Sequence, residues 1–479
     1  MTSPASHDAI RPRLGLVIGP LLFLAILLLP APEGMAIAGW RTAAVAALMA
    51  TWWITEAVPI PVTALLPLVL FPLLGVTTLN DTAAPYANPV IFLFLGGFLI
   101  ALALECTGLH RRLALATLSV VGTRPAALIL GFMLVTAFIS MWVSNTATTV
   151  MILPMALAVI ALQGGRNDGG AFPSALLLGI AYAATIGGLG TIIGTPPNAL
   201  FAGFMLESYG VRIGFAEWMV VAVPVVVVAL PLTWLLLTRV IHTLDDQPIA
   251  GGAALLASER AALGNPSREE WFAGAVTAAA AMAWIGRPLL ERFVPAISDT
   301  GIAIAAAIAL FAIPMQWRPL RQVIGWQQAE RLPWGVLLLF GGGLSLAAGI
   351  QESGLADWIG VRLGGVTDWP PLAMVLVLVV TVIVLSEFAS NTAITAAFLP
   401  IVATLALGDG AIPMIPALAT AMAASGGFML PVSTPPNAIV YGTGRITIKE
   451  MAVSGGLVDV LFVVLLPIAV LVIGSRVLG

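Results

Sequence analysis

Apolar residues run in long unbroken stretches along most of the chain, separated by short polar breaks. Segments near 14–30, 38–55, 60–75, 90–109, 175–206, 217–239, 272–290, 300–315, 334–359, 411–441 and 452–474 read as membrane-spanning helices, the shortest of them tilted or extended by their flanks. Barrel strands would alternate over about 10 residues, and these runs do not. Two further apolar stretches, near 125–162 and 370–407, are too long for one crossing and carry a polar cluster at the centre. They predict re-entrant hairpins, because backbone turns inside a bilayer only where protein or water satisfies it. The pattern predicts an all-α polytopic membrane protein of about 11 transmembrane helices plus two re-entrant hairpins.

Composition agrees. Of 479 residues, 60% are hydrophobic and 9% charged, against about 25% charged in a soluble domain. The 20 Lys and Arg and 23 Asp and Glu cannot cover a water-exposed surface of this size. This excludes a soluble enzyme and a disordered scaffold. A net charge of −3 without basic blocks leaves no footprint for nucleic acid, so the surroundings are the lipid bilayer. Cys106, the single cysteine, excludes an intramolecular disulfide and reads as a small buried apolar side chain. His7, His110 and His242 lie next to helix ends, read as solvated, and do not have the spacing of a ligand set. Walker, HExxH and GxSxG motifs are absent, so nothing reads as an ATP-driven pump.

Arg11 and Arg13 ahead of the first run, with small residues at Ala36–Ala38, resemble a signal peptide, but the run is long enough to be kept as a span. With the N-terminus cytoplasmic, 14 basic residues fall inside and 6 outside, which favours that orientation. The expected organisation is a tail and first helix (1–37), a first repeat (38–240), a cytoplasmic linker (241–270) and a second repeat (271–479).

The repeat is visible in the residues. Ser144-Asn145-Thr146-Ala147-Thr148-Thr149-Val150-Met151-Ile152-Leu153-Pro154 recurs as Ser390-Asn391-Thr392-Ala393-Ile394-Thr395-Ala396-Ala397-Phe398-Leu399-Pro400 at offset 246. Gly194-Thr195-Pro196-Pro197-Asn198-Ala199 recurs as Ser433-Thr434-Pro435-Pro436-Asn437-Ala438 at offset 239. Each repeat has an odd number of crossings, so the second must insert upside down. Inverted-topology repeats belong to secondary transporters, with the site near the midplane.

The motif pairs suggest the chemistry. Ser-Asn-Thr in the middle of an apolar hairpin is costly unless its groups find partners. Interhelical hydrogen bonding would account for one such cluster, but not for two at equivalent places. Pro-Pro inside a spanning run removes donors and predicts a broken helix. Freed carbonyls with Ser, Thr and Asn oxygens suit Na⁺, and helix N-termini with neutral donors suit carboxylates. No Lys or Arg lies near either motif, so an anion would bind only together with its cations. Glu56 and Glu387, with Glu105 and Asp459, read as intramembrane carboxylates, either a proton relay or structural. Trp52-Trp53, Trp284 and Trp317 read as interfacial anchors, and Gly96-Gly97 and Gly341-Gly342-Gly343 as close helix packing.

The paired Ser-Asn-Thr tips, the paired Thr-Pro-Pro breaks and the run Thr55-Glu56-Ala57-Val58-Pro59-Ile60-Pro61-Val62-Thr63-Ala64-Leu65-Leu66-Pro67 resemble the divalent anion:sodium symporter family over essentially the whole chain. The resemblance implies a homodimer in a bacterial-type inner membrane, with an elevator-like moving part. It implies one Na⁺ site at Ser140, Ser144, Asn145 and Gly194, and a second at Ser386, Ala389, Asn391 and Ser433. It places substrate carboxylates at Ser144, Asn145, Thr146, Ser390, Asn391, Thr392, Thr434 and Pro435. The implied function is sodium-coupled uptake of C4-dicarboxylates such as succinate, fumarate or malate, with no organic cofactor. A dicarboxylate exchanger, a sulfate or other oxyanion carrier, a channel, and an intramembrane enzyme using Glu56 or Glu387 are the alternatives.

Overall fold

The computed structural model describes residues 10–162, 170–318, 320–362, 369–405 and 413–478. His7, Arg166, the end of the 370–407 stretch and the start of the 411–441 segment lie outside them. Among the described residues the regular structure is helical apart from a two-residue antiparallel pair, Gln316–Trp317 with Leu320–Arg321. It is an all-α polytopic membrane protein.

The principal helices are α1 (Ile10–Leu28), α2 (Ile37–Thr55), α3 (Ile60–Thr63), α4 (Leu66–Leu73), α5 (Pro89–Thr107), α6 (Leu109–Val121), α7 (Pro125–Ser140), α8 (Asn145–Ala161), α9 (Ala171–Gly188), α10 (Pro196–Tyr209) and α11 (Phe215–Leu235). They continue as α12 (Gly252–Ala262), α13 (Arg268–Ile285), α14 (Asp299–Ala312), α15 (Trp334–Glu352), α16 (Leu355–Arg362), α17 (Pro371–Ser386), α18 (Asn391–Val402), α19 (Met414–Ala424), α20 (Pro435–Tyr441) and α21 (Ile448–Ile468).

Among the described residues, 6 helices are by themselves long and apolar enough to cross a membrane. The other expected crossings are shorter or interrupted. The 175–206 segment is two helices, α9 and α10, parted at 189–195. The 411–441 segment is likewise parted at 425–434, between α19 and α20. The prolines do not stop the preceding helices. Pro196 and Pro435 start the following ones, at a position whose N–H has no helical partner.

Repetition extends from residues to elements. The first arms of the two hairpins, α7 and α17, each have 16 residues and stand 246 apart. Helices α11 and α21 each have 21 residues and pass into a six-residue π-turn, Leu236–Ile241 and Ala469–Gly474. Gly108 and Gly354 occupy the same left-handed turn, φ 79° and 75°, ahead of α6 and α16.

Lipid tails are as apolar as leucine, so the interior is held by close packing more than by the hydrophobic effect. Every residue of α9 from Phe172 to Gly188 is buried. A Cβ at Gly187 would lie 2.3 Å from the Ala137 carbonyl, one at Gly96 2.6 Å from Ala303 Cβ, and one at Gly342 2.2 Å from the Ala64 carbonyl. The packing role read for Gly96 and Gly342 holds.

Other readings change. Cys106 is exposed on α5. His242 is buried, and His110 is half-buried with Nδ1 2.9 Å from the Leu104 carbonyl. Trp53 and Trp284 are core residues, whereas Trp317 is exposed. Glu56 and Glu105 are exposed, not buried. Glu56 ends α2 with φ 51°, the one non-glycine residue in the left-handed region among those described.

Candidate functional site

Each hairpin turns in four residues. Met141–Ser144 join α7 to α8, and Glu387–Ser390 join α17 to α18. Asn145 and Asn391 are therefore the first residues of their helices, where backbone N–H groups have no helical acceptor. Ser144 caps α8 by accepting the Ala147 N–H at 3.3 Å, whereas Ser390 makes no side-chain cap. Thr146 is exposed, and Ser144, Asn145, Ser390, Asn391 and Thr392 are half-buried. Thr434 is buried at the start of α20, and Pro435 beside it is exposed.

The first cluster joins the tip to the break in its own repeat. Ser140 Oγ lies 2.7 Å from both Asn145 Oδ1 and the Ala184 carbonyl. A hydroxyl has one proton, so one of these two oxygens goes without it at any moment. Thr191 Oγ1 donates to the Met141 carbonyl at 2.5 Å, tying the break to the tip. Asn198 Nδ2 donates to the Thr191 carbonyl at 2.7 Å and the Gly188 carbonyl at 3.0 Å. Those carbonyls fix the amide's orientation and leave Asn198 Oδ1 buried without a donor. Gly188 packs directly on Asn145: a Cβ there would sit 2.4 Å from Asn145 Oδ1. Gly194 admits no side chain, since its Cβ would lie 2.4 Å from the Gly188 carbonyl.

The second cluster repeats this plan with changes. Asn437 Nδ2 donates to the Leu430 carbonyl and to Ser433 Oγ, both at 3.1 Å. Ser433, at the place of Gly194, turns its hydroxyl onto the Leu430 carbonyl at 2.7 Å. Glu387 accepts the N–H groups of Met429 and Leu430 at 2.9 Å each. Its carboxylate thus ties the second tip to the second break. Asp459 on α21 is buried, with neither carboxylate oxygen hydrogen-bonded.

The oxygens left over suit a cation. Ser386 Oγ, Asn391 Oδ1, Asn198 Oδ1 and Asn437 Oδ1 are buried with no hydrogen-bond partner. A buried acceptor without a donor costs about 1–3 kcal/mol, which a hard monovalent cation would relieve. Ser386 and Asn391 were expected at the second cation site. Asn198, Asn437 and Thr191 were not singled out, although the asparagines stand in the quoted Thr-Pro-Pro-Asn blocks.

No side-chain hydrogen bond joins the two clusters among the described residues. They meet through crossed packing instead. Helix α10 of the first repeat packs on α18 and α19, and α20 of the second packs on α8 and α9. The ion pairs of the described residues are elsewhere: Arg111–Glu259, Arg112–Glu270, and Arg287 with Glu291 and Asp299.

Paired hairpins and paired broken helices, ending in neutral oxygen-rich tips inside a polytopic helical protein, define a membrane transporter. The chain belongs to the sodium:sulfate symporter family: the family model described as "Sodium:sulfate symporter transmembrane region" matches residues 13–477. It is 42% identical over 476 residues to a protein of Staphylococcus saprophyticus named sodium-dependent dicarboxylate transporter SdcS, covering 97% of this chain and 92% of that one. The Staphylococcus aureus protein of the same name is 42% identical over 477 residues, with the same shares of each chain covered. Among solved structures, the chain resembles the Alcanivorax borkumensis YdaH transporter in fold, with a TM-score of 0.50, 18% identity, and 82% of this chain and 87% of that one covered. The family is one of transporters, so the intramembrane-enzyme reading is dropped.

Proposed function

We propose that the chain is a secondary carrier that couples inward movement of Na⁺ to uptake of a C4-dicarboxylate. The observation that carries this is the pair of tip-and-break clusters with unpartnered buried oxygens and no basic side chain among them. The names of the staphylococcal relatives support the same substrate class.

The chemistry follows from charge. A dianion entering a neutral site inside the bilayer meets a large desolvation cost. Cations at the Ser140–Asn145 and Ser386–Asn391 clusters would lower it. Ser144, Asn145, Thr146, Ser390, Asn391 and Thr392 would then orient the carboxylates with hydroxyl, amide and helix N-terminal N–H donors, together with Thr434 and Pro435 at the second break. Binding of the anion is thereby conditional on sodium, which is coupling in physical terms.

The two repeats are read as inverted in the membrane, with the N-terminus cytoplasmic, the 241–270 segment a cytoplasmic linker, and the chain a homodimer in a bacterial-type inner membrane. The hairpins and broken helices then form the part that moves, elevator-fashion, against the rest. Uptake of labelled succinate into proteoliposomes, with and without an inward sodium gradient, tests the function. A second reading, an inorganic oxyanion carrier, is favoured by the sulfate in the family's description. Competition by sulfate and not by fumarate would select it.

A further inference from the structure

The first hairpin tip carries Trp142, which the binding chemistry above does not use. Its ring stacks on Phe215 at the start of α11, with 6.1 Å between centres and 19° between planes. It also stacks on Trp284 near the end of α13, at 6.5 Å and 11°. Phe215 and Trp284 stack on each other at 4.5 Å and 13°. All three separations lie in the favourable range for aromatic pairs. Asp299, the first residue of α14, ties the Trp284 ring to the Phe215 backbone. Its carbonyl accepts Trp284 Nε1–H at 2.9 Å, and its carboxylate accepts the Phe215 N–H at 3.0 Å. Arg287 Nε lies 3.2 Å from that carboxylate, and both residues are more than nine-tenths buried.

The chain holds matching parts in another arrangement, with Phe388 and Ile448 in the second repeat and Trp53 in the first. Offset 246 carries Trp142 onto Phe388, offset 233 carries Phe215 onto Ile448, and offset 231 carries Trp284 onto Trp53. Trp53 even repeats the hydrogen bond: its Nε1–H reaches the carbonyl of Ile60, the first residue of α3, at 3.3 Å. Yet Phe388 is 56% exposed and Ile448 52% exposed. One tip is docked on an aromatic platform, and its counterpart is not.

We propose that Trp142 is a positioning residue that docks the first tip on Phe215 and Trp284 and thereby favours the access state seen here, and that Phe388 docks the second tip over Ile448 in the opposite state. This rests on the carrier reading, in which the part that holds both tips moves against the rest of the chain. Two platforms that cannot both be engaged give the bistable element that alternating exposure requires.

The test uses Ile448→Cys as reporter in a Cys106→Ser chain, purified in detergent without substrate, and alkylated by a water-soluble maleimide. Labelling is expected to be fast when Trp142 is intact. Trp142→Ala should slow it measurably, by at most about ten-fold, the most by which one aromatic stack shifts an equilibrium. Trp142→Phe should restore the rate, and adding Phe388→Ala to Trp142→Ala should restore it too. Phe215→Leu takes the place of Trp142→Ala if that variant is not monodisperse, with the same expected slowing. An unchanged rate in a monodisperse variant overturns the proposal, as does slowing that Phe388→Ala fails to reverse. Labelling needs neither anion nor gradient. A chain that labels as expected but carries no anion overturns the carrier reading alone, and normal uptake with unchanged labelling overturns the docking alone.

Discussion

Gly188→Ala places a methyl group where the cluster proposed to hold the first cation keeps its amide. The built Cβ lies 2.4 Å from Asn145 Oδ1 and 3.0 Å from Nδ2. An ordinary contact needs about 3.5 Å, so the amide must retreat by about 1 Å. That lengthens the 2.7 Å approach of Ser140 Oγ to Asn145 Oδ1 beyond hydrogen-bonding distance. An oxygen removed from a charged partner costs about 1.5–3 kcal/mol, which is about 10- to 150-fold in a binding constant. Gly427, the counterpart 239 residues on, gives an internal control. Its Cβ would lie 3.1 Å from the Ser386 carbonyl and from Ser433 Cβ, a misfit that a small shift absorbs. The assay is the sodium dependence of succinate uptake in proteoliposomes, with monodispersity in detergent as the check on folding. Gly188→Ala should raise the half-saturating sodium concentration at least about ten-fold, and Gly427→Ala by about three-fold or less. If Gly188→Ala leaves sodium dependence unchanged, the cation role of Asn145 is refuted.

Asn145→Ala and Asn391→Ala should each abolish sodium-driven uptake while leaving folded, monodisperse protein, because each deletes an oxygen from a cluster; near-normal uptake by either would contradict the assignment. Asn437→Ala should lower the melting temperature of the solubilised chain as well as uptake, since its amide pins the second break at Leu430 and Ser433 at 3.1 Å; a melting point equal to the parent's would contradict the pinning role. Burial works to raise the Glu270 carboxyl, but hydrogen bonds from Arg112 and Ser267 outweigh it and hold the group below its ordinary value. A depressed carboxyl contributes stability above its unfolded value, about 4.3, and loses it as pH falls through the lower folded value. The parent's melting temperature should therefore drop between pH 5 and more acid conditions, and Arg112→Ala should flatten that drop.

The tips and breaks were legible because polar residues inside apolar runs are costly, and here they recur at two offsets. Proline then marked where each half-helix begins, at Pro196 and Pro435, and the repeat carried the hairpin lengths across. Facing was not legible. Cys106 and Glu105 sit in a helix that is apolar all round, so spacing gives no inner or outer side. Trp53 and Trp284 were read as anchors because tryptophan is common at membrane interfaces, whereas here each is buried and donates its ring N–H to the first residue of a later helix. Glu56 was read as buried from the apolar residues around it, but the chain reverses there in a left-handed conformation that turns it outward. Asn198 and Asn437 were within the quoted motifs. What hid their role was that an asparagine pinning a loop and one facing a ligand look the same in sequence.

The most direct test of the account is succinate uptake driven by a sodium gradient into proteoliposomes of the purified chain. The account predicts accumulation that requires sodium outside, competed by fumarate and malate and not by sulfate. Uptake of equal rate and extent with sodium replaced by choline would contradict it.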